Sequence, residues 1–432
     1  MNLKFYSHTN IVDNLHILKG FFFLFSIFIV VAPYSGYIYL QSGLAQYFQS
    51  NFSNFTGIPK NINPIFLIFE AIGYQIELFF EFVLPRFWGT NNYFFLRFIF
   101  KLPLFIFYFL SAIILSKIIQ LQFDNENLTG LVFYFQLFNL PLMYETFIIG
   151  NPESIPIFFI LLSYYEILQI DNKQIPVNQT IGYLVIAGFF LGISISFSYF
   201  SLLLLVLIWN KLSIKNTLIY ILGSIISLMF IYFPLLFFST ANQLPLNQDM
   251  FGIYNLITIF RLSNVSIVLQ IIEAILILII ILNNKLTVFS KITIVGIFVL
   301  ILTPNFFLTD YIIVFQFFLL GVVESFQLNI NDPFTFDRKH ISSRYTVLLS
   351  LSIISLSVLF VIYGFFIYPV TDVFYIGIII NGILGKFNVA FWRLNSVLEF
   401  KVLFYVIFSF LFVFMVFIIQ KKRKAFNTDK NF

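Results

Sequence analysis

The sequence predicts an all-helical protein that crosses a membrane many times, and three observations support this. Hydrophobic residues make up 60% of the 432 residues, charged residues only 10%, and the mean hydropathy is +0.96; soluble domains carry roughly 25% charged residues. Apolar runs such as 217–238 and 402–419 reach the length of about 18 residues at which a helix can cross a bilayer. These runs are apolar throughout, whereas the strands of a membrane barrel alternate. Lipid must therefore cover much of the chain, which excludes a soluble globule.

Twelve membrane-spanning helices are predicted. They cover residues 18–36, 93–119, 128–149, 154–170, 180–194, 196–209, 216–238, 264–283, 287–303, 309–329, 345–368 and 400–420. The stretch 180–209 is divided in two because it is long for one span and is interrupted at Gly192 to Ser196. Small polar residues can satisfy the backbone groups that a turn frees inside a membrane. We therefore predict a turn near Ser194 to Ser198.

The basic residues predict the orientation of these spans. With the N-terminus inside, 16 of the 24 lysines and arginines lie in inner segments, as expected because positively charged loops stay in the cytoplasm. This topology also accounts for the net charge of +5 without a nucleic-acid partner. The expected organisation is one integral membrane domain, 1–432, with outer loops at 37–92 and 369–399 and a cytoplasmic tail at 421–432. The membrane is the plasma membrane if the source is prokaryotic, or the endoplasmic reticulum membrane if it is eukaryotic.

Several classes of chemistry are excluded or disfavoured by the sequence. The chain has no cysteine, so it has no disulfide, thiolate metal site or cysteine nucleophile. It contains no P-loop, G-x-G-x-x-G, H-E-x-x-H or G-x-S-x-G motif, each of which marks a particular catalytic or binding site. His8, His16 and His340 fall in inner segments without ligand spacing. We predict no histidine metal site and no cofactor, while an oxygen-ligand site on the outer face stays open.

The first outer loop contains a predicted amphipathic helix at 63–82. Glu70, Glu77 and Glu81 are seven and four residues apart, which places their carboxylates on one face of a helix. The rest of the segment is largely phenylalanine and isoleucine, so the helix is expected to lie in the membrane interface. The three glutamates are either its hydrated face or a source of a general base that points into a cavity.

Ionisable residues also occur within the predicted spans or at their ends. They are Lys101, Glu145, Glu153, Glu166, Glu273, Asp310 and Glu324. A charge at the centre of a membrane costs about 2.5–3.5 kcal/mol on insertion scales, so each residue needs a partner or a hydrated cavity. Lys101 and Glu145 belong to the outer portions of neighbouring spans and can pair with each other.

Several segments resemble a family of membrane enzymes. Phe138 to Glu145, with the sequence Phe-Asn-Leu-Pro-Leu-Met-Tyr-Glu, and Gly150 to Ile155, with the sequence Gly-Asn-Pro-Glu-Ser-Ile, resemble the asparagine-proline and Gly-Asn-Ala-Glu-Ser-Ile segments of GPI mannosyltransferase I, a membrane-embedded GT-C glycosyltransferase. Phe100 to Pro103 resembles the lysine-proline start of the preceding helix in prokaryotic relatives, 188–199 takes the place of a short broken helix pair, and 303–311 resembles an outer segment before a late helix. The resemblance covers about residues 100–320.

The resemblance implies transfer of a sugar, mannose in the named enzyme, from a polyprenyl-phosphate donor at the outer or lumenal face. The family uses an acid in the first outer loop to deprotonate the acceptor hydroxyl. In this chain that loop offers Glu77, then Glu70 and Glu81, with Asp310 in reserve. The family also holds the lipid phosphate with basic residues near the outer surface. The residues assigned to that role are Arg261, Arg393 and Lys101.

The chain departs from the family directly after the first helix. The family places an aspartate there, whereas this chain has Ala32 to Tyr37 and no acid before Glu70. This favours a second hypothesis, a catalytically silent scaffold with a membrane partner subunit, because Pro33 to Gly36 and Gly385 to Phe391 resemble the non-catalytic U subunit of GPI transamidase. A third hypothesis, a transporter, predicts internal symmetry and broken polar helices, and neither is evident in the sequence.

Overall fold

The structure is a computed structural model. It describes part of the chain, and this part is all helical. The described residues are 14–31, 72–73, 75–76, 79, 82–83, 92–123, 126–150, 152–171, 179–202, 204–205, 212–238, 275, 295, 312 and 316. The chain divides into two compact units, Met1–Phe197 with Leu218–Leu235 and Ser198–Thr217 with Leu236–Phe432. Most of the described side-chain contacts belong to the first unit.

The described elements are helical, as the sequence predicts. In chain order they are α1 (Asn14–Val31), α2 (Asn92–Phe123), α3 (Glu126–Leu137), α4 (Leu140–Met143), a π-helical turn (Tyr144–Ile149), α5 (Ser154–Asp171), α6 (Thr180–Phe197), a 3-10 turn (Tyr199–Leu202) and α7 (Ile214–Phe238). Within the described part of the chain, three helical stretches are long and apolar enough to cross a membrane: Phe98–Gln122, Thr180–Phe197 and Ile214–Tyr232. The spans predicted between 264 and 420 lie almost entirely outside the described residues.

Helices α2, α3 and α5 pack side by side with a clear direction. Contacts between α2 and α5 follow the same chain order on both helices: Ser154 Oγ donates to the carbonyl of Leu104 at 3.0 Å, the rings of Phe107 and Phe158 lie 5.4 Å apart, and Gln122 donates to the hydroxyl of Tyr164 at 2.8 Å. The two helices are therefore parallel. The chain must run back once between them, and α3, α4 and the π-helical turn provide this return.

An aromatic cluster joins α1 to this group. The ring centroid of Phe28 on α1 lies 4.9 Å from that of Phe105 on α2 and 5.3 Å from that of Phe147 in the π-helical turn. Tyr108 approaches Phe147 with a centroid distance of 5.1 Å. Aromatic pairs at these distances contribute about 0.5–1.5 kcal/mol beyond the area that they bury. Some of the abundant phenylalanine of this chain thus forms its core.

The segment predicted as one span, 128–149, is not a continuous helix, because it breaks between Leu137 and Leu140. Helix α3 ends at Leu137, and a new helix begins at Leu140 with Asn139 as its N-cap and a proline in its first turn. Pro141 lacks a backbone N–H and cannot continue the hydrogen-bond ladder of α3. The backbone N–H of Leu142 donates to Oδ1 of Asn139 at 3.3 Å, which is the contact expected of an N-cap.

The predicted interruption at Gly192 to Ser196 is also wrong, because α6 continues through it to Phe197. Two serine hydroxyls of this stretch form hydrogen bonds while the helix continues. Ser194 donates to the carbonyl of Pro156 at 2.8 Å, and Ser196 donates to the carbonyl of Ile193 at 2.7 Å. The helix ends before Ser198, inside the range predicted for the turn, and the 3-10 turn follows. Residues 203 and 206–209 of the second predicted short helix, 196–209, lie outside the described residues.

Helices α6 and α7 cross at glycines that admit no side chain. A Cβ atom at Gly188 would overlap the carbonyl oxygen of Tyr220, and one at Gly223 would lie 2.5 Å from the carbonyl oxygen of Val185. Hydrogen bonds also join this crossing to α5. The hydroxyl of Ser163 on α5 donates to the carbonyl of Ala187 on α6 at 2.8 Å and lies 2.7 Å from the hydroxyl of Tyr220 on α7. Small residues and interhelical hydrogen bonds of this kind drive helix association where lipid offers no hydrophobic force.

The few described residues of the predicted interfacial helix are helical. Gly73 is buried, whereas the large apolar side chains nearby are exposed. The exposed apolar residues are Ile72, Ile76, Phe79, Phe82 and Val83. Glu70, Glu77 and Glu81 lie outside the described residues.

Candidate functional site: a buried polar seam

A row of polar side chains lies on one face of α2, inside the protein. Lys101, Tyr108 and Ser111 are each fully buried, and their spacings of seven and three residues place them on one side of a helix. Across from them on the broken segment lie Gln136, Asn139 and Glu145, which are also buried. We call these six residues the polar seam. Polar groups inside a membrane protein are costly and tend to mark functional sites.

The half of the seam that contains Tyr108 and Ser111 satisfies the backbone at the end of α3. The hydroxyl of Tyr108 donates to the carbonyl oxygens of Gln136 and Leu137, at 3.0 and 3.1 Å. The side-chain amide of Gln136 donates to the hydroxyl of Ser111 at 3.2 Å. Since no water is present in the hydrocarbon region, the carbonyls freed by a helix break must find such partners within the protein. Tyr108 therefore makes the break tolerable.

The half of the seam near the start of α2 contains the two charged residues. Lys101 Nζ donates to the carbonyl of Phe147 at 3.0 Å, inside the π-helical turn that also carries Glu145. Gly150 closes this turn in the left-handed conformation, with φ 82°, and its N–H donates to the carbonyl of Glu145 at 2.8 Å. Glycine adopts this conformation without steric cost. The π-helical turn is thus fixed at its C-terminal end by Gly150 and along its length by Lys101.

The next turn of the chain is fixed to α2 as well. Helix α5 begins at Ser154, whose hydroxyl donates to the carbonyl of Leu104, one helical turn from Lys101. The N–H of Ile155 donates to the carbonyl of Pro152 at 2.9 Å. The start of α2, at Lys101 and Leu104, therefore lies beside Phe147 and Ser154, which come much later in the sequence.

The structure describes one of the residues that are predicted to form the catalytic and donor-binding site. Lys101 is described, and its ammonium group is enclosed within the protein. The other six predicted site residues, Glu70, Glu77, Glu81, Asp310, Arg261 and Arg393, lie outside the described residues. Their roles stay predictions, as does the role of Lys101 toward a donor phosphate.

Sequence reasoning missed most of the seam. It selected Lys101 and Glu145 because they are ionisable, but passed over Tyr108, Ser111 and Gln136 because they are neutral. A signal for them was present. Polar residues at 101, 108 and 111 recur on one helical face of an otherwise apolar segment, and such a row in a membrane helix faces protein and not lipid.

The chemistry of the seam is structural and electrostatic. Its described members bond mainly to backbone carbonyls and to one another, and the part of the chain that the structure describes contains no group of three metal-ligating acids or histidines. Comparison with protein-family models, curated proteins and solved structures finds no match for this chain.

Proposed function

We propose that this chain is a GT-C-type membrane protein that transfers a sugar from a polyprenyl-phosphate donor at the outer or lumenal face, with mannose as the first sugar to test. One observation carries the proposal beyond the sequence. Lys101 and Ser154 belong to two of the segments that carry the resemblance to GPI mannosyltransferase I, and they donate to the carbonyls of Phe147 and Leu104, which lie next to the segments 138–145 and 100–103. The start of α2 therefore lies beside the stretch that carries the other two resembling segments, as expected if they are parts of one substructure.

The membrane part of the proposal draws support from the exposed surface. Helix α7 exposes apolar side chains along one side, among them Leu218 at 62%, Met229 at 66% and Phe230 at 75%. Such contiguous apolar surface is unfavourable in water and requires a cover. We assign lipid to this face and retain the twelve-span topology, with both termini inside and the interfacial helix at 63–82.

The proposed chemistry uses an outer acid and outer cations. Glu77 is the first choice as general base toward the acceptor hydroxyl, followed by Glu70 and Glu81, with Asp310 in reserve. Arg261 and Arg393 neutralise the phosphate of the donor, since arginine binds phosphate through paired hydrogen bonds. The third predicted cation, Lys101, is enclosed within the protein and donates to the carbonyl of Phe147. The donor is therefore the expected small-molecule partner, and the lipid bilayer the expected medium.

The test is sugar transfer by the purified protein in detergent. A panel of polyprenyl-phosphate sugars, radiolabelled in the sugar and including the mannose donor, is incubated with the protein and with candidate hydroxyl acceptors. We expect label to move to an acceptor only in the presence of the protein. The proposal is wrong if the protein neither binds a polyprenyl phosphate nor transfers any sugar.

A silent scaffold is the second candidate, favoured by the absence of an acid between Ala32 and Glu70. This hypothesis predicts that the protein binds the donor without transferring its sugar. Alternatively, the protein neither binds the donor nor transfers a sugar, and instead forms a stable complex with a membrane partner subunit. The transporter hypothesis gains one feature that the sequence had not indicated, since 126–149 is a broken polar segment. It still lacks the internal symmetry that transporters with such helices show.

A further inference from the structure

Two opposite charges are fully enclosed in the same region of the protein. Among the Lys, Arg, Asp and Glu side chains that the structure describes, Lys101 and Glu145 are the fully buried ones, each with 0% exposure. A lone buried charge is strongly destabilising, because the protein interior replaces only a small part of its hydration. Each of the two side chains therefore needs an opposite charge nearby. Within the polar seam, Lys101 and Glu145 are the residues of opposite charge, so each is the candidate partner of the other.

A hydrogen bond from the side chain of Lys101 to the backbone brings it to the turn that carries Glu145. Lys101 Nζ lies 3.0 Å from the carbonyl oxygen of Phe147, two residues after Glu145 in the same π-helical turn. A π-helix has its ladder bond to the fifth residue along, and Gly150 makes this bond to the carbonyl of Glu145 at 2.8 Å. The ammonium group of Lys101 has three donors, of which the carbonyl of Phe147 occupies one.

We propose that Lys101 and Glu145 form a buried ion pair that holds the π-helical turn against α2. The pair fixes the turn that leads into Gly150 and Ser154, and so sets the position at which the chain re-enters α5. In this assignment Lys101 is a positioning residue whose charge is used inside the protein. Donor phosphate, if the protein binds one, is then left to Arg261 and Arg393.

The pair makes a specific prediction for single and double replacements. Removing one partner of a buried pair leaves an uncompensated charge, whereas removing both leaves none, so the double variant is far less affected than either single one. We expect Lys101→Met and Glu145→Gln each to raise the equilibrium constant for unfolding by about 10²–10⁴-fold. The variant that carries both changes should recover most of this loss.

The measurement is thermal stability of the full chain in detergent, read from the monodisperse fraction that survives heating. A matched control uses Lys117→Met, the same change on the same helix, about 24 Å from Lys101 at 1.5 Å per residue. Combined with Glu145→Gln, this control should show additive losses, since distant sites do not couple. Lys101→Arg keeps the charge and should retain more stability than Lys101→Met.

The outcomes separate the pair from the alternatives. If the single variants do not fold but the double variant does, the pair is supported. If the double variant is as impaired as the sum of the single ones, or if neither single change affects stability, the pair is refuted. A Lys101→Met protein of normal stability that has lost binding of a polyprenyl phosphate would assign Lys101 to the donor instead. This test needs no enzymatic activity, so failure of the proposed function would not affect it.

Discussion

Gly188→Ala is expected to disrupt the packing of α6 on α7, although the same change at Gly182 of the same helix should be harmless. The new methyl group would overlap the carbonyl oxygen of Tyr220, which is backbone and cannot rotate away. Overpacking of a tight contact costs about 1–3 kcal/mol and occasionally more. We place Gly188 at the upper end of this range because Gly192 and Gly223 approach the opposite backbone as closely, so the helices have no room to slide.

Gly182→Ala is the matched control for this prediction. Gly182 also lies in α6, and an added Cβ there meets nothing within 4 Å. Alanine in place of a helical glycine stabilises by roughly 0.5–1 kcal/mol when no contact opposes it. Thermal unfolding in detergent should therefore move in opposite directions for the two variants. Equal stability of Gly188→Ala and Gly182→Ala would show that α6 and α7 do not cross at these glycines.

The largest catalytic effect is expected for Glu77→Gln, a prediction that depends on the proposed sugar transfer. Loss of a general base lowers the rate by about 10²–10⁴-fold, since the acceptor hydroxyl then keeps its proton during attack. Glutamine has nearly the same shape as glutamate, so folding and donor binding should be preserved. The measurement compares initial rates of transfer, at saturating donor, between this variant and the unmodified protein.

The remaining acids serve as internal comparisons for Glu77. Glu70→Gln, Glu81→Gln and Asp310→Asn are measured in the same assay, and one acid is expected to stand apart from the others. A large loss in Glu70→Gln or Glu81→Gln, with normal Glu77→Gln, would move the base along the same helical face. Full activity in all four variants would refute an outer-loop base altogether.

The helical class and several helix bounds followed directly from composition and apolar run length. The predicted spans 154–170 and 216–238 differ from α5 and α7 by at most two residues at each end. These segments are simple to predict because their hydrophobic runs end where polar residues begin, and nothing inside them competes with the helix. Long apolar runs fix the existence of a helix in a membrane more strongly than any local propensity.

Both errors came from reading helix breakers without their tertiary partners. Gly192 predicted a turn but is needed for close helix contact, since a Cβ there would meet Ser224 and Ser227 of α7. Pro141 was passed over within a continuous apolar run, although Asn139 before it supplies the N-cap of a new helix. Whether a glycine or proline breaks a membrane helix depends on whether other groups bond to the backbone carbonyls that the break leaves free. At the end of α3, the hydroxyl of Tyr108 on α2 bonds to these carbonyls.

The candidate site was predictable only in part for the same reason. Lys101 and Glu145 stood out in the sequence because a charge in an apolar run must have a partner. Tyr108 and Gln136 became visible only once α2 and α3 were seen to be neighbours, because their roles depend on each other's backbone.

The most direct test of the central claim, a membrane protein whose loop 37–92 faces outward, is the topology of the chain. Because the sequence contains no cysteine, single cysteines can be introduced without further changes and labelled in intact cells or sealed vesicles of known orientation with a membrane-impermeant maleimide. We expect Ser53→Cys to be labelled from the outer or lumenal side, and Lys173→Cys to be labelled only after the membrane is permeabilised. Labelling of Lys173→Cys from the outer side, with Ser53→Cys protected, would contradict the account.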